Sequence, residues 1–489
     1  MQAGGVTRVR ARDSRPASCH NACVLLAPSD RLRHQQFTAN AGPTLVTQTA
    51  AASLPLQHLL PISAGLSPEG HLTLGGCDTV ALAREYGTPL YVYDLATVRE
   101  QCSLALSAFR AEHADTDVLY ASKAFLNRPF ASLVASLGLG FDAVSGGEIA
   151  VLRAAGVEMS TVYFHGNNKG PDELALAAQV GVGRIVIDNL GEIALVEAAA
   201  AAAGITQGVL VRVSPGVDGH THEKTTTGIL DTKFGVPIVT GAAEEAVRAI
   251  VASPHLAFRG LHMHLGSPIF ELEPYVTAIE VMAEFIARLT ERLGVAVEEF
   301  SPGGGFAVAY LDEQHPPAWS AYAQAICGTL RREADARGFS MPHITIEPGR
   351  SIVGRAGVAL YTVGARKEVP GIRTFVSVDG GMADNIRPAM YGSRYEALAA
   401  ARPLAPAEET VSIAGKYCES GDVLIRDIAL PHLEAGEVLA IPAAGAYQLA
   451  MSSNYNLAYK PAVLLVEAGE ARLIRRRETA DDLMALDVG

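Results

Sequence analysis

The chain has 489 residues, 49% of them hydrophobic and 19% charged, the make-up of a globular protein longer than one typical domain. A net charge of −13 excludes the basic surface by which proteins hold nucleic acid or anionic membranes, and favours small-molecule chemistry. Six cysteines (Cys19, Cys23, Cys77, Cys102, Cys327, Cys418) have neither the paired spacing of a zinc site nor the density of a disulfide scaffold, so no metal is expected and the setting reads as a reduced cytoplasm.

Residues 1–65 carry six Arg, two Asp and no Lys or Glu, and are expected to be a disordered or mis-assigned N-terminal extension. No charge falls between His34 and Pro68, yet Thr, Gln, Asn, Ser and Pro break the apolar runs before they reach membrane-spanning length. Residues 66–95 contain the strand-like HLTLGG and TPLYVYD, read as strands that join a β domain at the other end of the chain. From Val118 onward, eight short apolar runs follow: VLYASK, GFDAVS, VYFHG, RIVID, VLVRV, GLHMH, VEEFS and ITIEP. Between them lie helical stretches such as 147–156, 171–181 and 192–204, opened by Pro or closed by Gly. Eight strands with intervening helices predict an α/β fold, a (β/α)8 TIM-like barrel over residues 96–355. After Gly354 strand-like runs dominate, so 356–489 is read as a second, mainly β domain of sandwich or barrel type.

In such a barrel, chemistry sits at the C-terminal ends of the strands. Lys123, Ser145, His165, Asn167, Asp188, Arg212, His264, Gly303–Gly305 and Glu347 all fall there. Lys123 ends an apolar strand, where an unpartnered ammonium is expensive. Covalent attachment to a carbonyl cofactor removes that cost, and a lysine snorkelling from the rim is the open alternative. The three glycines of SPGGGFAVAY allow backbone N–H groups to wrap a phosphate, to which Ser267 of HLGS adds a hydroxyl. His264 is placed to lie against an aromatic ring, while His262 on the same strand face is read as structural. In ITIEPGR, Glu347 suits a protonated ring nitrogen, with a Glu347–Arg350 ion pair as the alternative.

The ordered motifs YASKA, SGGE, HGNNK, HTHEKTTTG with DTKFG, HLGS, GGGF, EPGR, RPAMYGSRYE, CESGD and GAYQLAMSSNYN resemble the alanine-racemase-fold decarboxylases, above all the diaminopimelate decarboxylases, over residues 66–489. The resemblance implies pyridoxal 5'-phosphate held by Lys123, with Glu347 at the ring nitrogen and His264 stacked on the ring. The phosphate would be bound by Ser267, Gly303, Gly304, Gly305 and the backbone of Glu347, Pro348, Gly349 and Arg350, with Tyr447 closing the site. It places Cys418 and Glu419 across a homodimer interface, so that two subunits share each site. Ala307 and Gln448 depart from the family's usual spelling.

A substrate with both an amine and a carboxylate at its far end needs a cation and an anion together. Arg387, Tyr391, Arg350 and Tyr447 suit the carboxylate, and Glu419 the amine. Cys418 is the candidate proton donor, since a free thiol is mostly protonated near neutral pH; a small buried residue is its plain alternative. The expected reaction is decarboxylation of meso-2,6-diaminopimelate to L-lysine. Kept beside it are an ornithine, arginine or carboxynorspermidine decarboxylase of the same fold and a non-catalytic pyridoxal phosphate carrier. A racemase is disfavoured, because it usually has an arginine where this chain has Glu347.

Overall fold

The computed structural model describes residues 54–219, 221, 226–228 and 231–488. The expectation for 1–65 lies outside the described residues as far as residue 53, and so does most of HTHEKTTTG. Residues 54–64, grouped by sequence with the extension, are packed: Leu59 and Leu60 are wholly buried, and Arg355 donates to the Leu60 carbonyl at 2.7 Å.

Eight strands form a closed ring: β1 (Thr116–Ala121), β2 (Gly140–Ala143), β3 (Val162–Phe164), β4 (Arg184–Ile187), β5 (Gln207–Ser214), β6 (Leu256–His262), β7 (Glu299–Gly303) and β8 (His343–Ile346). Each pairs in parallel with the next, and β8 closes on β1 through Ile344↔Thr116. Parallel strands covered on both faces read as continuous apolar runs, which is why all eight stand out in the sequence. Inside the ring, Leu119, Tyr163, Val186 and Leu210 form a small buried layer. Burying each such side chain contributes about 1.5–3 kcal/mol before the entropy of ordering it is counted.

Helices follow the strands with caps that the sequence spells out. Asn127, Ser145 and Asn189 accept backbone N–H bonds at helix N-termini. Gly181 and Gly204 end helices in the left-handed region at φ 76° and 68°.

The second domain is mainly β: β9 (Gly357–Val369), β10 (Arg373–Val378), β11 (Glu409–Ala414), β12 (Val423–Leu430), β13 (Val438–Ile441), β14 (Ala462–Glu467) and β15 (Glu470–Arg475). Its centre is the strand Leu90–Asp94, contributed by the chain before the barrel. That strand pairs antiparallel with β9 (Gly357↔Tyr93) and parallel with β14 (Ala462↔Leu90). The domain thus closes over the barrel mouth with both ends of the chain.

Candidate active site

Lys123 sits in a 3-10 turn immediately after β1. Its ammonium donates to Asp142 Oδ2 at 3.0 Å, and that aspartate, at the end of β2, is almost wholly buried. Burial alone would lower the lysine, but Asp142, then Tyr447 and Glu347, hold it above its usual value. The side chain is still 42% exposed and lines the cavity, so the ion pair fixes the lysine without closing it off.

Glu347, just beyond β8, is 6% exposed. Its Oε1 accepts from Ser301 Oγ at 2.8 Å and its Oε2 lies 3.0 Å from His262 Nε2. Burial would raise this carboxyl, yet His262 and His165 bring it down to about 2, so it is ionised at neutral pH. His262, read from sequence as structural, is therefore a direct partner of the site's carboxylate. Arg350 does not pair with Glu347: its Nε donates to Ser267 Oγ at 3.1 Å and its Nη1 to Tyr310 Oη at 2.6 Å.

His264 Nδ1 accepts from the Gly304 N–H at 3.2 Å, which fixes the imidazole beside the glycine run. Those glycines are needed where they stand. Gly303 and Gly305 have φ of 75° and 109°, and a Cβ at Gly303 would lie 2.5 Å from the Met263 carbonyl oxygen. Ala121 N–H donates to the Pro348 carbonyl at 3.1 Å, and a Cβ at Gly349 would lie 2.9 Å from that of Ala121 and 3.1 Å from that of Ala124, so the EPGR turn sits close against the Lys123 turn.

From the β domain, Arg387 opens a short helix, Arg387–Tyr391, and is 8% exposed. Its Nε donates to Tyr395 Oη at 2.9 Å. Tyr447 is held at φ 60°, its N–H bonded to the Ala124 carbonyl at 2.9 Å. The Tyr447 ring lies 4.8 Å from the Arg350 guanidinium and 5.9 Å from that of Arg387.

A cavity of about 510 Å³ brings Lys123, His165, Arg212, His264, Ser267, Glu347, Arg350, Arg387, Tyr391 and Tyr447 together. Cys418 and Glu419 are not among its walls; both are exposed, Cys418 held by an N–H bond to Asn456 Oδ1 at 3.1 Å. Within its own chain Cys418 is thus not a small buried residue. Sequence reasoning passed over Asp142, although it stands in the run GFDAVS, and Ser301, and it gave His262 a structural reading with no role at Glu347.

The residues present fit pyridoxal phosphate. An amine at a cavity wall, an ionised carboxylate for a ring nitrogen, and a glycine cradle beside Ser267 are its three requirements. Asp142 Oδ1 and His165 Nε2 are buried without a hydrogen-bond partner among the described residues, polar atoms that suit a polar ring. His165, His262 and Glu347 also offer ligand atoms within 4.8 Å of one another, but Lys123 and Arg212 beside them oppose a cation.

Fold and site together define a pyridoxal phosphate-binding barrel enzyme with an attached β domain. Residues 95–354 match the model of the pyridoxal-dependent decarboxylases' pyridoxal binding domain. The chain is 45% identical over 419 residues to the diaminopimelate decarboxylase of Bacillus subtilis (strain 168), covering 86% of this chain and 95% of that one. It is 40% identical to that of Synechocystis sp., covering 91% and 96%. Among solved structures, diaminopimelate decarboxylase from M. jannaschii in complex with L-lysine superposes with a TM-score of 0.82 at 33% identity, covering 87% and 98% of the two chains. The chain belongs to the diaminopimelate decarboxylase family.

Proposed function

We propose that the chain decarboxylates meso-2,6-diaminopimelate to L-lysine and CO2, with pyridoxal phosphate carried on Lys123. The observation that carries the substrate choice is the convergence of two buried guanidinium groups, Arg350 and Arg387, on the cavity that Lys123 lines. An ornithine or arginine substrate has only a cation at its far end and would leave both arginines unpaired in a closed site.

When bound, pyridoxal phosphate supplies an electron-withdrawing ring that accepts the bonding electrons of the departing carboxylate. Asp142 would position the Lys123 nitrogen that carries the cofactor, and Lys123, once released, would lie where it can carry a proton. Glu347, ionised and braced by Ser301 and His262, holds a proton on the ring nitrogen. His264 would cover one ring face, and Ser267, Gly303, Gly304, Gly305 and the backbone of Pro348, Gly349 and Arg350 would hold the phosphate. Arg350, Arg387, Tyr391 and Tyr447 orient the distal carboxylate.

The remaining groups, Cys418 and Glu419, come from a second copy of the chain. They sit in an exposed turn near Tyr455, Leu457 and Tyr459, which are 38%, 73% and 46% exposed, an apolar surface suited to a partner. Cys418 of the partner subunit protonates the α-carbon, and Glu419 of the partner subunit meets the distal amine. The division at 66–95, 96–355 and 356–489 follows from the same reading. A cytoplasmic setting is supported by Cys77, Cys102, Cys327 and Cys418 all being free thiols, and no helix among the described residues is long and apolar enough to cross a membrane.

The deciding experiment supplies the protein and pyridoxal phosphate with meso-diaminopimelate, ornithine or arginine in parallel and follows CO2 and products. Lysine formed from diaminopimelate alone is expected. CO2 released only from ornithine or arginine would overturn the roles of Arg387 and Glu419, and no release at all would favour a carrier.

A further inference from the structure

We propose that Tyr310 is a positioning residue that joins Arg350 and Arg387 into one receptor for the substrate's distal carboxylate. This rests on the reading above that these two arginines bind that carboxylate. Tyr310 ends the run SPGGGFAVAY, whose glycines serve the cofactor cradle but whose tyrosine has no task so far. It is 8% exposed and stands behind the cavity wall rather than on it.

Two guanidinium groups brought to one site repel each other, so something must hold them in register. The Tyr310 ring touches both: the Arg350 and the Arg387 carbon Cζ each lie 5.7 Å from its centre. Its hydroxyl accepts Arg350 Nη1 at 2.6 Å. Its edge meets the Tyr395 ring at 5.5 Å and 87°, and Tyr395 in turn accepts Arg387 Nε. Although burial pushes the phenol up, Arg350 and then Arg387 bring it below its ordinary value, the mark of two cations held close to it.

The donor count follows. Arg350 commits Nε to Ser267 and Nη1 to Tyr310; Arg387 commits Nε to Tyr395 and Nη2, at 3.3 Å, to Ser393. Among the described residues, each arginine keeps one terminal nitrogen uncommitted, Nη2 on Arg350 and Nη1 on Arg387. A carboxylate has two oxygens to satisfy, and this pair supplies one cationic nitrogen for each. Without the Tyr310 hydroxyl, Arg350 Nη1 loses its anchor and the pair loses its spacing.

The test compares ligands that differ only in the group concerned. L-Lysine carries the carboxylate and cadaverine is the same chain without it. In the holoenzyme, Tyr310→Phe should weaken L-lysine binding, measured by calorimetry, about tenfold. Cadaverine binding should be unchanged, and the KM for diaminopimelate should rise with kcat held. Unchanged lysine affinity, or an equal loss for cadaverine, overturns the inference. Arg387→Ala separates the two levels. If it weakens lysine while Tyr310→Phe does not, only the role of Tyr310 falls; if the parent binds lysine no better than cadaverine, the carboxylate reading falls with it. Should Tyr310→Phe not fold, Tyr395→Phe loosens Arg387 from the other end of the same brace, and the same selective loss is required of it.

Discussion

The barrel mouth and the Cys418–Glu419 corner of the β domain differ in how much of their geometry one chain completes. At the mouth, Lys123 is met by Asp142, Glu347 by Ser301 and His262, and His264 by the Gly304 N–H, each partner arriving from a strand other than that of the residue it meets. At the corner, the turn carries its two functional candidates outward, tied by Asn456 and Tyr455 but facing solvent. Ring closure gives the cofactor half its preorganisation within a single chain. On the proposed reading the proton-donating half would come from a neighbour, which would couple catalysis to assembly.

The contrast is sharpest at its largest expected effect. Lys123→Ala should lower turnover roughly a thousandfold or more and abolish the visible absorbance of the bound cofactor, both read on the purified variant. Turnover within tenfold of the parent would remove Lys123 from the centre of the site.

Next in size, Cys418→Ala should cost about a hundredfold in kcat while leaving cofactor absorbance intact. Mixing the two inactive variants tests the coupling directly. If sites are shared, random re-pairing puts one good site in half of the dimers and restores about a quarter of parental activity. No recovery would place Cys418 in the service of its own chain or of none.

The smallest effect concerns the tie between the halves. Asp384 is 2% exposed, accepts Tyr361 Oη at 2.5 Å and the Gly381 N–H at 2.9 Å, and stands near Tyr91, whose hydroxyl meets Gln448 next to Tyr447. Burial raises this carboxyl to about 6. A folded-state value above the unfolded one stabilises the protein at low pH, and that stability is lost as pH rises through about 6. The parent should lose about 1.5 kcal/mol between roughly pH 5 and pH 8 through this group. Asp384→Asn should flatten that slope in urea unfolding at the two pH values; an unaltered slope would assign it elsewhere.

How much of this could be read from the sequence depends on the kind of constraint. The eight barrel strands were legible because burial on both faces leaves little room for polar residues. The strand β12 and the hairpin strand β15 are harder to read, since VLIRDIAL and EARLIR mix charge into strands with several exposed positions. In the site, Lys123, His264, Glu347 and Arg387 stand out because each is chemically out of place at the end of an apolar run or in a motif. Asp142, Ser301 and Tyr310 sit in equally ordinary surroundings, and only closure of the ring brings residues 142, 301 and 347, so far apart in sequence, within reach of one another. Gln448, noted as a departure from the usual spelling, proves to be wholly buried and hydrogen-bonded to Tyr91.

The strand Leu90–Asp94 has a consequence for how the protein is made. During synthesis it leaves the ribosome before any barrel strand, yet both of its neighbours, β9 and β14, are encoded after the last one. Throughout translation of the barrel its two hydrogen-bonding edges stay bare, on an apolar segment that is wholly buried in the finished fold. A nascent chain halted after residue 355 would therefore be a template for edge-to-edge aggregation rather than a soluble barrel, and ribosome pausing near that point should be far more harmful than pausing beyond residue 467.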